Sequence, residues 1–452
     1  MPQRTQLTPY ETLLSLLDRG DRAATVAFLA ELDPSDTLHL LGQVDDSAFE
    51  RLLIVVGRQA LADVLADFDP EDAAHHLERL DVAQAAELTE RMDPDDAADV
   101  IHEMDAEGAA QILDEMVPEE SREVRALLEY PPDSAGGLMT PEFVAVKAYW
   151  TVGGTIRYVR TRAHEAETIY YIYVTDNQGT LCGVLSLKDL ILADEFARIS
   201  AVMREATHYV TIDDDQEAVA NLIGEEDLLA VPVVDFNQRL VGIVTVDDVL
   251  DVIEAEYSED LLKFSAIEGG EERSLSSPSY SIRHRLPWLL INILLSQVGA
   301  LVVALFQNTL AQVVVLATFM PVISNMGGNV GIQAVSVAIR GISTGEVAFR
   351  NFWTVLRKEV VVGFFNGLIL GVLLGLISYV WHGSYYLGVV TTLALWANVM
   401  VASLCGGTLP FLLKRVGFDP AMMTGPLLTT VVDLISFFIF LGLGTLFLPL
   451  LR

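Results

Sequence analysis

One acidic residue, Asp433, lies deep inside a long apolar segment near the end of the chain. A carboxylate inside a membrane-spanning helix is costly unless it faces water or a partner charge, and the surrounding apolar segments contain no basic residue. If the segment enters the membrane near Ala421, Asp433 lies roughly 18 Å deep at 1.5 Å per residue. We therefore interpret Asp433 as an ion contact, with a protonated, structurally satisfied acid as the alternative.

A second polar group interrupts the apolar sequence PVISNMGGNVGIQA, in which Asn329 lies about 11 residues before Arg340. Glycines permit close backbone approach or a break in a helix, and amide side chains offer oxygen atoms to a hydrated ion. Helix packing alone would explain the glycines but not the three amides, of which Asn329 has nearly the expected depth of Asp433. We expect the lining of an ion path to comprise Gly327, Gly328, Asn329, Gln333 and Asp433.

One carboxylate per chain is a sparse site for a divalent cation, so we expect a symmetric dimer to supply two. Mg²⁺ dehydrates reluctantly and can be held through its water shell by two carboxylates and a few carbonyls. Ca²⁺ would demand more direct oxygen ligands than these segments offer.

Seven more carboxylates lie between Asp247 and Asp260, in the sequence VDDVLDVIEAEYSEDLLKF. Its apolar residues recur at helical spacing, at Leu250, Ile253, Tyr257 and Leu261, which predicts an amphipathic helix. Like charges four positions apart on a helix repel each other. A bound cation would offset that repulsion, and GGEERSLSSPSYS then forms a flexible tether.

Charge and hydrophobicity occupy different parts of the 452-residue chain, which is 52% hydrophobic with a net charge of −34. The part from Met1 to Tyr280 carries 19 basic and 58 acidic side chains, a net of −39, whereas the remainder carries +5. So acidic a surface excludes nucleic acid as a partner and favours cations as counterions. Adaptation to high salt is the alternative explanation of the acidity.

Long uncharged segments indicate that the last third of the chain spans a membrane. Two such segments, 286–339 and 360–413, hold two helices each, with turns at 307–309 and 381–386; His382 interrupts the second segment. The segment 420–451 adds a fifth span. Basic residues cluster before the first, third and fifth spans, which predicts a cytoplasmic N-terminus and an outside C-terminus. MPQRTQLTPYETLL has no apolar stretch, so we expect no cleaved signal peptide.

Other chemistries find little support in the sequence. Cys182 and Cys405 have no neighbouring His or Cys at metal-ligand spacing, so we expect neither disulfide nor zinc site. No nucleophile and base occur at an interpretable spacing, and no phosphate-binding glycine loop is present, so we do not expect an enzyme.

Aspartates recur at a regular twelve-residue spacing in the N-terminal module, each opening a short helical pattern. Aspartate is a good helix N-cap, and proline fits the first helical turn. Short amphipathic helices bury their apolar stripes by stacking, which predicts an α-helical superhelix of about 100 residues of either hand. The repeated positions are Asp33, Asp45, Asp69, Asp81, Asp93 and Asp105.

The following region is β-rich and contains two related copies. GVLSLKDL, which begins at Gly183, recurs from Gly242 as GIVTVDDV, and each copy follows a hydrophobic strand and an acidic turn. The region 138–255 resembles a tandem pair of cystathionine-β-synthase (CBS) domains. In such pairs Ser186 with Asp189, and Thr245 with Asp248, would hold a ribose; strand-end caps without a ligand are the equally weighted alternative.

Taken together, AGGLMTPEFVAV, ETIYYIYV, the paired CBS domains, LVGIVTVDDVLDVIEAE, GGNxGxQ and PxxxTxxD closely resemble the MgtE family of bacterial magnesium channels over essentially the whole chain. The resemblance implies a homodimer in the bacterial inner membrane whose second and fifth spans line a pore. It also implies cytoplasmic domains that bind Mg²⁺ and close the pore through a connecting or plug helix.

The resemblance also implies roles for individual residues. Asp433 matches the ion-selecting acid, and Tyr171 and Lys188, next to Asp189, fall where the family contacts ATP. Ile332 departs from the family, since some members carry an amide there. The implied Mg²⁺-sensing residues are Asp95, Asp99, Glu217, Asp227, Asp248, Asp251, Glu256, Glu259 and Asp260.

The sequence thus predicts a multidomain membrane protein for Mg²⁺-selective, Mg²⁺-gated uptake. A membrane-anchored nucleotide sensor without transport, and a broader divalent transporter for Co²⁺ or Mn²⁺, are the alternatives. The expected parts are a superhelix at 1–130, CBS domains at 138–200 and 201–250, a connecting helix with tether at 247–281, and five spans at 282–452.

Overall fold

The computed structural model describes residues 8–30, 32, 40, 44, 46–66, 68–164, 166–265, 267, 272, 276–343, 346–347, 349–418 and 420–451. The chain divides into two compact units, Met1–Ile253 and Glu254–Arg452, which are described separately.

The first unit opens with short helices that bury one apolar stripe each, as the twelve-residue repeat predicts. Asp69, Asp81 and Asp105 accept hydrogen bonds from backbone N–H groups of the helices that follow them. Leu61, Leu77 and Leu88 contribute to the core and are at most 1% exposed. The repeat positions Asp33 and Asp45 lie outside the described residues. The helices are α1 Pro9–Arg19, α2 Arg22–Ala30, α3 Asp46–Val56, α4 Arg58–Ala66, α5 Pro70–Leu77, α6 Val82–Thr89, α7 Pro94–Glu103, α8 Ala106–Glu115 and α9 Pro118–Leu127.

Two small sheets follow and confirm the tandem CBS repeat. One has the strand order β1-β2-β3-β4 and the other β5-β6-β7. In each, a parallel pair is followed by an antiparallel hairpin, with a register shift at the equivalent steps 174/175 and 233/234. The strands are β1 Ala145–Lys147, β2 Tyr171–Thr175, β3 Leu181–Ser186, β4 Arg204–Glu205, β5 Val210–Thr211, β6 Ala230–Val234 and β7 Leu240–Thr245. The associated helices are α10 Val152–Arg162, α11 Leu187–Leu192, α12 Ile199–Val202 and α13 Gln216–Glu226.

The acidic connecting helix, α14, spans Val246–Phe264 and begins directly after β7. Its buried residues are Val249 and Val252. The four residues of the predicted apolar stripe are instead between 49% and 75% exposed in the single chain. The stripe at 250–261 is therefore not the face that this chain buries.

Within the described residues, five helices of the second unit are long and apolar enough to cross a membrane, which agrees with the five predicted spans. The predicted turn at 307–309 is wrong, because these residues lie in a short helix, α16 Gln307–Gln312. The helices also extend beyond the uncharged segments, so that basic residues such as Arg340 lie in their terminal turns. The spans are α15 Pro278–Leu305, α17 Leu316–Ser343, α18 Phe352–His382, α19 Tyr385–Val416 and α20 Pro420–Leu446; a 3₁₀ turn, Phe349–Asn351, precedes α18, and α21 Leu448–Leu451 follows α20.

The core of the second unit, here called the membrane unit, lies where α17, α19 and α20 meet. Ile323, Val399, Leu428 and Val432 are at most 1% exposed there. By contrast, only 6% of the most apolar window of α15 is buried. This packing places the polar sequence of α17 beside the helix that carries Asp433.

Candidate functional site

Asp433 of α20 contacts the polar stretch of α17 directly. The hydroxyl of Ser324 donates a hydrogen bond to Asp433 Oδ1, although 109 residues separate the two in sequence. A serine hydroxyl can donate its one proton to a carboxylate and still accept from another group. The structure therefore places the acid beside the second-span segment that carries the amides.

A cavity of about 620 Å³ opens beside this contact. A Cβ added at Gly328 would meet nothing within 4 Å, so this glycine borders open space. The cavity therefore offers carboxylate, hydroxyl and amide oxygens, the donor set that hard cations such as Mg²⁺ prefer. Its lining comprises Ala317, Met320, Pro321, Ser324, Asn325, Gly328, Asn329, Ile332, Thr429, Asp433 and Phe437.

The predicted lining residues are only partly brought together. Gly328, Asn329 and Asp433 line the cavity, and Ile332 presents an apolar side chain to it. Gly327 is buried, and a Cβ there would lie 2.3 Å from Asn398 Nδ2, so it packs against α19. Gln333 is exposed on α17 and is not among the described residues that line this cavity.

Asn398 of α19 is a buried polar residue that the sequence analysis missed. Its Nδ2 donates to the Ile323 carbonyl oxygen at 2.8 Å, and its Oδ1 accepts from Ser436 Oγ at 2.6 Å. In the sequence, a single asparagine in an apolar helix does not indicate such a role, because it belongs to no motif. Only the packing of the helices shows that Asn398 joins α17 and α20.

Glu359 is another acid in the membrane unit and is only 4% exposed. Its Oε2 accepts from Ser403 Oγ at 2.6 Å, and its Oε1 lies 3.2 Å from Lys358 Nζ. In the sequence Glu359 borders the uncharged segment 360–413, whereas in the structure it lies within α18. Both carboxylate oxygens have protein partners, which indicates a structural role.

The first unit gathers three predicted sensing acids around the start of α7 and α14. Burial is the largest effect that raises the pKa of Asp95 well above its usual range and the pKa of Asp99 to about 7. The negative charge of Asp248 is the second effect on both, which places the three acids near one another. Asp95 is 9% exposed, and its Oδ1 has no hydrogen-bond partner within the described residues.

Further acids that the sequence analysis did not select extend this cluster. One carboxylate oxygen each of Asp93, Glu142 and Glu167 lies within 4.8 Å of the other two. Burial, followed by the charge of Asp93, raises the pKa values of Glu142 and Glu167 to about 7. The repeat explains Asp93 as a helix N-terminus, but nothing local in the sequence joins it to Glu142 and Glu167. We call Asp93, Asp95, Asp99, Glu142, Glu167 and Asp248 the acidic cluster.

The other predicted sensing residues are distributed along two helices. Glu217 lies in the first turn of α13, and Asp227 is its C-cap in the left-handed region at φ 52°. Asp251 and Glu256 lie in α14. Glu259 pairs with Lys263 at 2.6 Å, and Asp260 Oδ2 accepts a 3.3 Å hydrogen bond from Ser343 Oγ.

The predicted nucleotide residues lie on β2 and at the starts of α11 and α14. Ser186 Oγ accepts from the Asp189 backbone N–H at 3.0 Å and caps the helix, while Asp189 lies 3.6 Å from Arg204 Nη2. Thr245 Oγ1 donates to Asp248 Oδ2 at 2.6 Å. Tyr171 begins β2, and Lys188 is exposed. Both Ser/Thr hydroxyls are thus engaged at strand ends, as the capping interpretation expects.

Models of three families match the chain. The MgtE divalent cation transporter model matches residues 320–443, and the MgtE intracellular N domain model matches residues 10–133. The CBS domain model matches residues 135–195 and 199–255.

Curated relatives and a solved structure agree with these matches. The magnesium transporter MgtE of Thermus thermophilus is 44% identical over 332 residues, 73% of this chain and 74% of that protein. The magnesium transporter MgtE of Bacillus subtilis is 37% identical over 332 residues, 73% of each. A crystal structure of the soluble part of a magnesium transporter is 34% identical, with a TM-score of 0.50, and covers 55% of this chain and 98% of that one.

Proposed function

The chain belongs to the MgtE family of divalent cation transporters, and from that membership we propose that it is a Mg²⁺-selective channel closed by cytoplasmic Mg²⁺. The observation that carries the transport part is the Ser324–Asp433 contact at the edge of the polar cavity. A channel for a hydrated divalent cation requires oxygen donors and one charge at the narrow part of its path.

The pore is completed by a second copy of the chain. Among the described residues, one chain supplies a single carboxylate to the cavity, and α15 leaves most of its apolar surface unburied. A twofold axis beside the cavity would bring two Asp433 carboxylates to one path. The homodimer lies in the bacterial plasma membrane. Its N-terminus is cytoplasmic, because basic residues cluster before the first, third and fifth spans and such residues concentrate on the cytoplasmic side.

Uptake into liposomes tests the transport part. Asp433→Asn removes the charge while keeping the shape of the side chain. Two opposite unit charges about 4 Å apart attract by roughly 4 kcal/mol at an effective dielectric of about 20, so Mg²⁺ uptake should fall at least about a hundredfold.

Glu359→Gln is the matched control, since it removes an acid elsewhere in the spans but leaves the cavity lining intact. It should retain uptake. Uptake by a folded Asp433→Asn dimer would show that the ion passes elsewhere, and absence of uptake by the wild type would favour a sensor without transport.

The electrostatics of the acidic cluster support the proposed closure by Mg²⁺. Burial and mutual repulsion disfavour its ionised carboxylates, and a bound divalent cation would relieve both. Of the predicted sensing acids, Asp95, Asp99 and Asp248 lie in this cluster. We assign Glu217 and Asp227, at the two ends of α13, to a further Mg²⁺ contact. The remaining predicted sensing acids follow along α14: Asp251, Glu256, Glu259 and Asp260.

The last turns of α14 lie against the membrane-spanning helices. Asp260 is hydrogen-bonded to Ser343 of α17, and Phe264 packs against the apolar core of the spans. A shift of α14 would therefore act on the pore helix itself. Such a coupling lets Mg²⁺ shift the equilibrium toward the closed form. The size of this shift is set by the difference in Mg²⁺ binding free energy between the closed and open forms.

Adenine nucleotide is the proposed additional ligand of the first CBS copy, through Tyr171, Lys188 and Asp189. Lys188 is exposed and beside Asp189, so a cation and a carboxylate are available for a phosphate and a ribose. Fluorescent ATP binding to the full chain tests this assignment. Lys188→Ala should weaken binding, and unchanged affinity would contradict it.

A further inference from the structure

A buried amide joins three spans at the level of the proposed ion site. Asn398 is fully buried, and both polar atoms of its side chain are used. Nδ2 donates to the Ile323 carbonyl oxygen of α17 at 2.8 Å, and Oδ1 accepts from Ser436 Oγ of α20 at 2.6 Å. One side chain therefore holds the two helices that carry the cavity's polar groups.

The two attachment points are immediate neighbours of those groups. Ile323 directly precedes Ser324, whose hydroxyl donates to Asp433. Ser436 follows Asp433 by about one helical turn. The amide thus fixes the turn of α17 that carries the donor relative to the turn of α20 that carries the acid.

Gly327 provides the space that this amide needs. A Cβ at Gly327 would lie 2.3 Å from Asn398 Nδ2 and 2.9 Å from Val432 Cγ1. Any larger residue would force the amide away from the α17 backbone. The need for a glycine at position 327 therefore comes from its neighbour Asn398 on α19 and not from the cavity.

We infer that Asn398 is a positioning residue that sets the width of the ion path at Asp433 and so contributes to selection for Mg²⁺. This inference rests on the proposed function. Asn398 is not among the described residues that line the cavity, and it acts through the separation of α17 and α20. Mg²⁺ retains its water shell, so its passage depends on a path of fixed width, whereas Ca²⁺ accepts direct ligands in flexible geometry.

The breakage of either hydrogen bond should therefore change selectivity as well as rate. Buried donors and acceptors that lose their partners are costly, and the surrounding helices would shift to relieve them. A path of relaxed width would admit Ca²⁺ more readily relative to Mg²⁺. A residue that merely stabilised the fold would lower both fluxes equally.

The test measures Mg²⁺ and Ca²⁺ uptake per folded dimer in liposomes, with Asn398→Ala and Ser436→Ala as the variants. Asn398→Ala removes both the donor to Ile323 and the acceptor for Ser436. We expect the ratio of Mg²⁺ to Ca²⁺ uptake to fall by about tenfold, with a smaller fall for Ser436→Ala.

Thr391→Val is the matched control, because Thr391 is also fully buried in α19 and donates to carbonyls of its own helix. It should keep the wild-type ratio. A wild-type ratio in folded Asn398→Ala and Ser436→Ala dimers would overturn the inference. Loss of Asp433 dependence would instead overturn the proposed function, so the two failures are distinguishable.

Gly327→Ala provides an independent variant that leaves Asn398, Ser436 and Asp433 unchanged. Because its Cβ displaces the amide, it should lower the uptake ratio by a similar factor. Its effect should be much smaller in an Asn398→Ala background, since residues that act as a unit are not additive. Full additivity of the two substitutions would contradict a shared role.

Discussion

Ser343, in the last turn of α17, donates a 3.3 Å hydrogen bond to Asp260 of the acidic connecting helix α14. Asp260 is one of the acids implied in Mg²⁺ sensing, and α17 is the helix that carries Ser324, Asn325 and Asn329. A proposed sensing residue and a proposed pore helix are therefore in direct contact. This relationship makes the connection between α14 and the pore testable at a single bond.

Removal of the Ser343 hydroxyl should weaken closure without impairing conduction. A hydrogen bond to a charged group contributes about 1.5–3 kcal/mol, so Ser343→Ala should raise the Mg²⁺ concentration for half-closure by roughly tenfold. Mg²⁺-dependent inhibition of uptake by proteoliposomes measures this shift. Ser336→Ala is the control, since Ser336 is on the same helix and donates to Ile332 of that helix. An equal response of both variants would argue against the bond's role in gating.

Neutralisation of the acidic cluster should remove the response of α14 to Mg²⁺. Asp95→Asn combined with Asp99→Asn reduces the repulsion that a bound cation would relieve and removes two ligands. In millimolar Mg²⁺, α14 of the wild type should be protected from protease, and α14 of the variant should be cleaved as it is without Mg²⁺.

The control for that experiment is Glu115→Gln with Glu129→Gln, which removes the same charge from exposed positions of the superhelix. It should keep the protection. Wild-type protection in the Asp95/Asp99 variant would show that these acids do not sense the ion.

The raised pKa values of Glu142 and Glu167 predict a pH-dependent stability in the absence of Mg²⁺. Their pKa values are about 7 in the folded chain, above the usual value of 4.5. The folded state therefore binds protons more readily than the unfolded state. The two carboxyl groups therefore contribute to the free energy of unfolding. This contribution is fully present below about pH 4.5 and is lost as the pH rises through about 7.

Thermal unfolding in EDTA measures this effect. The melting temperature of the first unit should fall between about pH 4.5 and about pH 7 and level off above that range. Glu142→Gln with Glu167→Gln should flatten this decline, and added Mg²⁺ should offset it more in the wild type than in the variant. The same slope in both proteins would contradict the assignment of the pH dependence to this pair.

The sequence predicted the architecture well because each module repeats or has a strong period. The twelve-residue aspartate spacing predicted capped helices at Asp69, Asp81 and Asp105, and the repeat of Gly183 at Gly242 predicted two sheets, which have matching register shifts. Uncharged length alone predicted five spans, but not α16, because the polar residues at 307–309 resemble a turn.

The candidate site was less predictable, because contacts between distant segments decide it. Depth counting placed Asn329 near Asp433, and the structure has both at one cavity. The sequence pattern could not distinguish Gly327, which packs against Asn398, from Gly328, which borders open space. It also could not join Asp93 to Glu142 and Glu167, since they belong to different modules and lie far apart in the sequence.

Single-channel recording of the purified protein, with Mg²⁺ titrated on the cytoplasmic side, measures directly whether Mg²⁺ closes the proposed pore. Open probability should fall as Mg²⁺ rises from micromolar to millimolar, and the Asp95→Asn, Asp99→Asn variant should require at least about tenfold more Mg²⁺ for the same closure. Openings whose probability does not change with cytoplasmic Mg²⁺ would show that Mg²⁺ does not close this pore.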